Sequence, residues 1–302
     1  MNRIHFGNPG GNIMHEDISF QSDGLKLAGI FHKPDNLEDG ARLPAFVIMH
    51  GFGGHKDGPA QRWSSSQFPG WGYACMRFDF RGCGESEGPP GVVVPAEEIN
   101  DCRAAIDYLA TRPEVDPDRI GLLGTSYGAI VATSAAAEDG RAKAVIAQGG
   151  WGNSDRFFRE LHATPEAWAK FSGMLEEGRA KLAAGEAAAR AHRFDIVPIP
   201  EPVRANIDER SIFDFSVQTA IATYDFSPQD HVARVAPRPL LIVHAAADVV
   251  VRPSGSIDLF THAGENAELY IMSGVDHFMF GENDPRVINL VKDWLDKYFP
   301  AA

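Results

Sequence analysis

The stretch RIGLLGTSYGAIVA, residues 119–132, joins an apolar run to a series of small residues through Gly124-Thr125-Ser126-Tyr127-Gly128. The Ile and Leu residues predict a buried strand, and the small apolar residues after the serine predict a helix packed close to a sheet. A glycine two positions before and another two positions after the serine fit a sharp strand-to-helix turn, because such a turn strains the backbone and leaves no room for larger neighbours. We therefore predict that Ser126 lies on this turn with its hydroxyl exposed above the sheet.

The rest of the chain alternates between strand-like and helix-like patterns, which is typical of a mainly parallel sheet with helices on both faces. Strands are expected at 45–50, 73–80, 119–124, 143–148, 239–245 and 267–272, after an opening antiparallel pair joined at Ser22-Asp23-Gly24. Helices are expected at 96–112, from Ser126 onward, at 253–264 and at 285–299. The predicted fold class is α/β, with about eight strands.

One segment interrupts the alternation, because about 85 residues separate Gln148 from Pro237 and a single helical crossover needs far fewer. Its centre is rich in Ala, Glu, Lys and Arg, which favours helix. We predict a core formed by 1–150 and 232–302, with an inserted, mainly helical cap at 151–231. Inserted segments emerge near the carboxyl ends of strands, where α/β sheets bind ligands. The cap is therefore expected to cover a pocket, and a surface elaboration that only stabilises the fold is the alternative.

Composition disfavours several classes of function. The 302 residues include 28 basic and 41 acidic side chains, which gives a formal net charge of −13 and disfavours binding to nucleic acid or to an anionic membrane. Residues 1–17 lack the apolar centre of a signal peptide, so a cytoplasmic location is expected. The three cysteines show neither disulfide nor metal-ligand spacing, and we expect no cofactor and no metal. The expected partner is a small-molecule substrate, and a homodimer remains open.

A serine hydroxyl needs a base to become a nucleophile, and the base needs a carboxylate to orient it. His277, in GVDHF directly after the last predicted strand, is the expected base. Asp248, in HAAADVVV after the preceding strand, is the expected orienting acid. Asp276 and Asp225 are weaker alternatives, and Asp276 adjoins the base in sequence, where side chains diverge. The predicted catalytic residues are Ser126, Asp248 and His277.

Acyl transfer also requires hydrogen-bond donors for the oxygen that becomes negatively charged in the transition state. One donor is expected from the residue after the nucleophile and another from a loop after an early strand. The loop HGFGG, residues 50–54, occupies that place. The predicted donors are the backbone N–H groups of Phe52 and Tyr127, and His50 is expected to brace the loop. A merely flexible turn is the alternative for this segment.

These motifs, together with FDFRGCGESEG at 78–88, occur in an order that resembles the α/β-hydrolase family. The opening hairpin, HGFGG and DFRGCGES are most similar to its esterase, cinnamoyl-esterase and X-Pro dipeptidyl-peptidase-like branch, which overlaps the dienelactone-hydrolase-like proteins. The sequence departs from the usual pattern at Cys83 and at HAAAD, and neither departure removes a catalytic group. Within the 78–88 segment we expect Asp79 and Arg81 to anchor a turn.

The predicted function is a serine-dependent carboxylester hydrolase that acts through an acyl-enzyme. Trp151, Phe157 and Phe158 are the predicted pocket residues, so a small apolar or aromatic substrate is expected. Three alternatives remain open. The first is an acyltransferase, a C–C hydrolase or an acyl-eliminating enzyme of a biosynthetic pathway that uses the same three residues, the second a small-peptide or aryl-amide hydrolase, and the third a non-catalytic ligand receptor.

Overall fold

The computed structural model describes residues 13–302. Residues 1–12, which the predicted core includes, lie outside this range. The strands are β1 (Ile13–Ser22), β2 (Leu25–Pro34), β3 (Leu43–Met49), β4 (Ala74–Phe78), β5 (Val115–Thr125), β6 (Ala142–Gln148), β7 (Arg190–His192), β8 (Asp214–Ser216), β9 (Leu240–Ala245) and β10 (Ala267–Met272). The α-helices are α1 (Pro59–Gln67), α2 (Pro95–Thr111), α3 (Tyr127–Glu138), α4 (Ser154–Leu161), α5 (Pro165–Ala183), α6 (Arg193–Ile196), α7 (Val217–Tyr224), α8 (Pro253–His262) and α9 (Pro285–Tyr298).

Eight strands form one sheet in the order β1-β2-β4-β3-β5-β6-β9-β10. β1 and β2 are antiparallel and turn at Asp23 and Gly24, both of which have positive φ. β2 is also antiparallel to β4, and the remaining neighbours are parallel. The predicted α/β class and the eight-stranded, mostly parallel sheet are confirmed.

Each face of the sheet is covered by its own apolar cluster. On one face α2 buries Ile99, Cys102, Ile106 and Leu109, the stripe that its helical periodicity places together. On the other face α1 and α9 close the second cluster, with residues such as Trp63 contributed by α1. α9 contributes Val287, Val291, Trp294 and Leu295. The sheet is thereby buried on both sides, as a parallel sheet requires.

The chain between β6 and β9 forms α4, α5, α6 and α7, together with a small antiparallel sheet of β7 and β8. The predicted helices are therefore accompanied by two short strands that the sequence pattern does not indicate. Within residues 13–302, no helix combines the length and the hydrophobicity that crossing a lipid bilayer requires.

Candidate active site

Ser126 lies at the junction of β5 and α3 with φ 55° and ψ −120°, a backbone conformation that a residue with a side chain rarely adopts. Its N–H donates to the carbonyl oxygen of Gln148 on β6 at 2.7 Å, and its own carbonyl accepts from the N–H of Ala129 at 2.9 Å. These bonds fix the strained residue between the sheet and the first turn of α3. The structure thus places Ser126 on the sharp turn that the sequence predicts.

The two glycines beside the serine are required by close backbone approach. A Cβ atom on Gly124 would overlap the carbonyl of Gly128, and a Cβ on Gly128 would lie 2.5 Å from the carbonyl oxygen of His50. Either contact would push α3 away from the sheet. The glycines therefore allow the helix to begin directly behind the serine.

His277 follows β10 and Asp248 follows β9, so both side chains come from the carboxyl ends of neighbouring parallel strands. The Nδ1 atom of His277 lies 2.7 Å from Oδ2 of Asp248. Because a carboxylate only accepts hydrogen bonds, this contact assigns the proton to Nδ1 and leaves Nε2 as the basic nitrogen. The His277 side chain is buried, and it lines the same cavity as Ser126.

Asp248 is held as an anion. Its Oδ1 accepts from the N–H groups of Val250 and Val251 at 2.8 and 2.9 Å. Burial alone would raise the pKa of Asp248, but His277 and His244 outweigh that effect and hold the pKa well below its usual range. A buried carboxylate with one oxygen fixed by the backbone and the other on His277 is suited to orient an imidazole.

The structure places the alternative carboxylates elsewhere. Oδ1 of Asp276 accepts from the N–H of Phe278 at 2.7 Å, within its own turn. Asp225 follows α7 and pairs with Arg179 of α5 at 2.5 Å. Of the three carboxylates weighed from the sequence, Asp248 is the one bonded to His277.

A cavity of about 130 Å³ contains Ser126 and His277 on its wall. Part of the inserted segment, 193–211, forms another part of that wall. The larger apolar side chains around it are Phe52, Val197, Ile199, Ile207, Val250 and Phe278. The site can therefore enclose a small apolar group beside the serine.

The wall of this cavity within residues 13–302 contains none of the predicted pocket residues Trp151, Phe157 and Phe158, although Phe157 lines a neighbouring cavity that shares Ile199 and Val250 with it. The ring of Trp151 stacks on Phe157 with centroids 4.0 Å apart, and Phe158 stacks on Phe171 at 4.9 Å. All four side chains are buried. They form an apolar core between α4, α5 and Tyr224 of α7, where removal from water stabilises the inserted segment.

The loop after β3 lies beside the serine, since a Cβ atom on Gly51 would sit 3.3 Å from Cβ of Ser126. Within residues 13–302, the N–H groups of Phe52 and Tyr127 donate to no protein acceptor. Two amide donors without partners next to a strained serine are suited to bind an oxyanion. Their role as an oxyanion hole stays a prediction.

His50 braces this loop. Burial lowers the pKa of His50 to about 4, so the imidazole is neutral near pH 7. Its Nε2 accepts from the N–H of Phe80 at 3.2 Å, which leaves the proton on Nδ1 to donate to the carbonyl oxygen of Gly51 at 2.8 Å. The interpretation of His50 as a structural group agrees with this geometry.

Three residues near the site escape the sequence analysis as contributors. Gln148 donates from Nε2 to the carbonyl oxygen of His277 at 3.0 Å. His244, at the end of β9, contacts the carbonyl oxygen of Val251 at 2.8 Å and thereby supports the loop that carries the acid. Arg193 of the inserted segment donates to the carbonyl oxygen of Phe52 at 2.6 Å. The contacts of Gln148 and Arg193 join residues far apart in sequence, so local patterns carry no signal for these two.

Groups of three or more His, Cys, Asp or Glu side chains that could hold a metal ion do not occur within residues 13–302.

Residues 42–284 match the family model described as "Serine aminopeptidase, S33". The chain belongs to the α/β-hydrolase family. This family membership confirms the resemblance that the motifs suggest, and the match includes the segments that carry Ser126, Asp248 and His277.

Two sequence relatives and one solved structure show which proteins this α/β-hydrolase is similar to. The quorum-quenching protein AidA of Acinetobacter baumannii (strain MDR-ZJ06) is 31% identical over 159 residues, which span 52% of this chain and 50% of AidA. The acyltransferase drtE of Aspergillus calidoustus is 25% identical over 310 residues, covering 95% of each chain. The crystal structure of Est1E from Butyrivibrio proteoclasticus with bound ferulic acid superposes with a TM-score of 0.67 at 20% identity, covering 93% of this chain and 98% of Est1E.

Proposed function

We propose that this α/β-hydrolase cleaves carboxylic esters of small apolar or aromatic acids through a covalent acyl-enzyme on Ser126. The observation that carries the proposal is the 2.7 Å contact between His277 and Asp248 in the cavity that also exposes the strained Ser126. A strained serine, an oriented imidazole and free amide donors together match the requirements of acyl transfer.

In the proposed reaction His277 takes the proton of Ser126 as Oγ bonds to the ester carbonyl carbon. The π electrons of the carbonyl move to its oxygen, and that oxyanion accepts hydrogen bonds from the N–H groups of Phe52 and Tyr127. When the carbonyl re-forms, the bond to the leaving alkoxide breaks and protonated His277 gives the alkoxide its proton. Water then attacks the acyl-enzyme in the same two steps, with His277 first taking a proton from water and then giving it to Ser126. The acid is released and the serine hydroxyl is restored.

The cavity favours an ester over the free amino terminus of a peptide. An aminopeptidase needs an acceptor for the substrate ammonium group. Among the described residues on the cavity wall, the one carboxylate is Asp208. Arg210 binds Asp208 with Nε and NH2, each at 3.1 Å, and the pKa of Asp208 is held below its usual range chiefly by that hydrogen bonding. The pairing with Arg210 leaves fewer acceptor sites of that carboxylate for a substrate cation.

The proposal is tested by labelling the folded protein with a fluorophosphonate and then assaying aryl, alkyl and thio esters and aryl amides. We expect the wild type to be labelled and to hydrolyse at least one ester, and Ser126→Ala to lose both reactions. Ser211→Ala is the matched control, because Ser211 lines the same cavity and should remain dispensable for labelling. A folded wild type that takes no label would overturn the assignment of the nucleophile and favour a ligand receptor.

Acyl transfer to a substrate other than water is a second candidate, supported by the near full-length match to the acyltransferase drtE. The same acyl-enzyme would then react with an alcohol or amine. Adding small alcohols to the ester assay separates the two functions. A transferase should form mostly the new ester at alcohol concentrations far below that of water, whereas a hydrolase should release mainly the free acid.

A further inference from the structure

Arg193, at the start of α6, is a buried cation whose hydrogen bonds within residues 13–302 go to backbone carbonyls and not to a carboxylate. Burial lowers its pKa to about 10, so the guanidinium still carries its charge near pH 7. NH2 donates to the carbonyl oxygen of Phe52 at 2.6 Å, NH1 donates to the carbonyl oxygen of Ile212 at 2.9 Å, and Nε has no partner in the described chain. Burying a charge without an oppositely charged partner costs free energy. We therefore expect Arg193 to have a role that offsets this cost.

The first half of the candidate oxyanion loop is fixed by the core. The carbonyl oxygen of Gly51 accepts from Nδ1 of His50 at 2.8 Å and from the N–H of Gly54 at 3.0 Å. This carbonyl belongs to the same planar peptide as the N–H of Phe52. The core therefore sets one side of the candidate donor.

The second half of the loop is fixed by the inserted segment. Arg193 binds the carbonyl of Phe52, and the N–H of Ile212 donates to the carbonyl oxygen of Gly53 at 2.8 Å. The Phe52 ring stacks on Phe215 of β8 with centroids 4.6 Å apart, and the guanidinium carbon of Arg193 lies 5.5 Å from the same ring. The conformation of Phe52 thus depends on contacts that the core does not supply.

We propose that Arg193 is a positioning residue for the oxyanion hole. By holding the Phe52 carbonyl, it fixes the backbone on the far side of the donating amide and keeps that N–H directed at the oxygen that becomes negative. Its positive charge, on the wall of the same cavity, favours that oxyanion in an environment with little water. The inserted segment is then part of the catalytic apparatus, because the oxyanion hole is complete only when α6 is docked. This inference rests on the proposed function.

Arg193→Met removes the charge and the hydrogen bonds while keeping a long side chain. We expect kcat on an aryl ester, per fluorophosphonate-titrated active site, to fall by about 10- to 100-fold with KM changed by less than about threefold, since a displaced donor affects mainly the transition state. Ki for an aryl trifluoromethyl ketone, which forms a charged tetrahedral adduct with the serine, should rise by the same factor as kcat/KM falls. Arg193→Lys, which keeps the charge, should retain more of both properties than Arg193→Met.

Arg238→Met is the matched control, because the Arg238 guanidinium also binds backbone carbonyls, including those of Asp139 and Ala142 at 3.0 Å each, away from the cavity. The kcat of Arg238→Met per titrated active site should match that of the wild type. Equal losses in both arginine variants, or an Arg193→Met rate and Ki that match the wild type, overturn the inference and leave the proposed function standing. If Arg193→Met does not fold, Arg193→Gln, which also removes the charge, takes its place, and a kcat and Ki at wild-type values in that variant overturn the inference. A wild type without labelling or turnover overturns the proposed function and this inference together.

Discussion

Asp248 has both carboxylate oxygens committed, one to backbone N–H groups and one to the imidazole of His277. Its position could be predicted from the sequence because the acid follows a recognisable buried strand. The sequence also ranks Asp276 below Asp248 without excluding it, since adjacent side chains diverge along the chain. The support from Gln148 could not be predicted, because it depends on which strands lie side by side.

Asp248→Asn should lower kcat on an ester substrate by about 10⁴-fold with little change in folding, because an amide in this place favours the wrong imidazole tautomer. Steady-state kinetics checks this expectation. Asp276→Asn is the control, and its kcat should stay within about tenfold of the wild type since its carboxylate bonds to its own turn. Equal losses in the two variants would contradict the assignment of Asp248.

At the scale of elements, the turn after β4 shows how a glycine-rich segment is anchored. The Asp79 carboxylate is fully buried and accepts from the N–H and Nζ of Lys56 and from the N–H of Glu85. Arg81 forms a two-pronged ion pair with Asp101 of α2. The predicted role of Asp79 and Arg81 as anchors of this turn agrees with the structure, although their partners could not be named from the sequence.

Gly84→Ala should lower the free energy of unfolding by about 2–4 kcal/mol, because Gly84 has φ 52° and an added Cβ would overlap the Asp79 carboxylate. Urea denaturation measures the change. Gly40→Ala is the control, since Gly40 has φ 80° but nothing within 4 Å of an added Cβ. It should cost only about 1 kcal/mol, the effect of the backbone angle alone. A Gly84→Ala variant no less stable than Gly40→Ala would show that the turn is not packed as described.

At the scale of the whole molecule, the alternation of strands and helices could be predicted because local hydrophobic periodicity indicates each element. The lining of the cavity could not. Phe157 looks like a pocket residue in sequence, but it stacks on Trp151 and lines a neighbouring cavity rather than the one that holds Ser126. Arg193, one of several arginines in the segment, reaches a loop 141 residues away. Which face of an inserted helix meets the site is decided by packing between distant parts of the chain.

Glu98, on the buried face of α2, should make the stability of the whole fold depend on pH. Burial raises the pKa of Glu98 well above its usual range, and Oε2 has no hydrogen-bond partner within residues 13–302. In the unfolded chain Glu98 loses its proton near the ordinary pKa of a glutamate, whereas in the folded chain it keeps the proton to a higher pH. The free energy of unfolding therefore falls as the pH rises from the ordinary pKa toward the raised pKa of the folded state.

Glu98→Gln removes this proton linkage. The variant should exceed the wild type in free energy of unfolding by at least about 1 kcal/mol near pH 8, with a smaller difference near pH 4, since one pKa unit is worth about 1.4 kcal/mol. Urea denaturation at both pH values provides the test. The exposed Glu138 of α3 supplies the control Glu138→Gln, for which the difference should be close to zero at both pH values. A Glu98→Gln difference that does not grow with pH would contradict a protonated Glu98.

The central claim is that an acyl group is transferred to Ser126. Its most direct test is the intact mass of the wild type after incubation with an aryl carbamate, whose carbamoyl-enzyme hydrolyses slowly, followed by peptide mapping. The account predicts a mass increase equal to one carbamoyl group, release of one equivalent of the phenol, and modification of the peptide that contains Ser126. Release of the phenol from an unmodified protein, or a carbamoyl group mapped to a different residue, would contradict it.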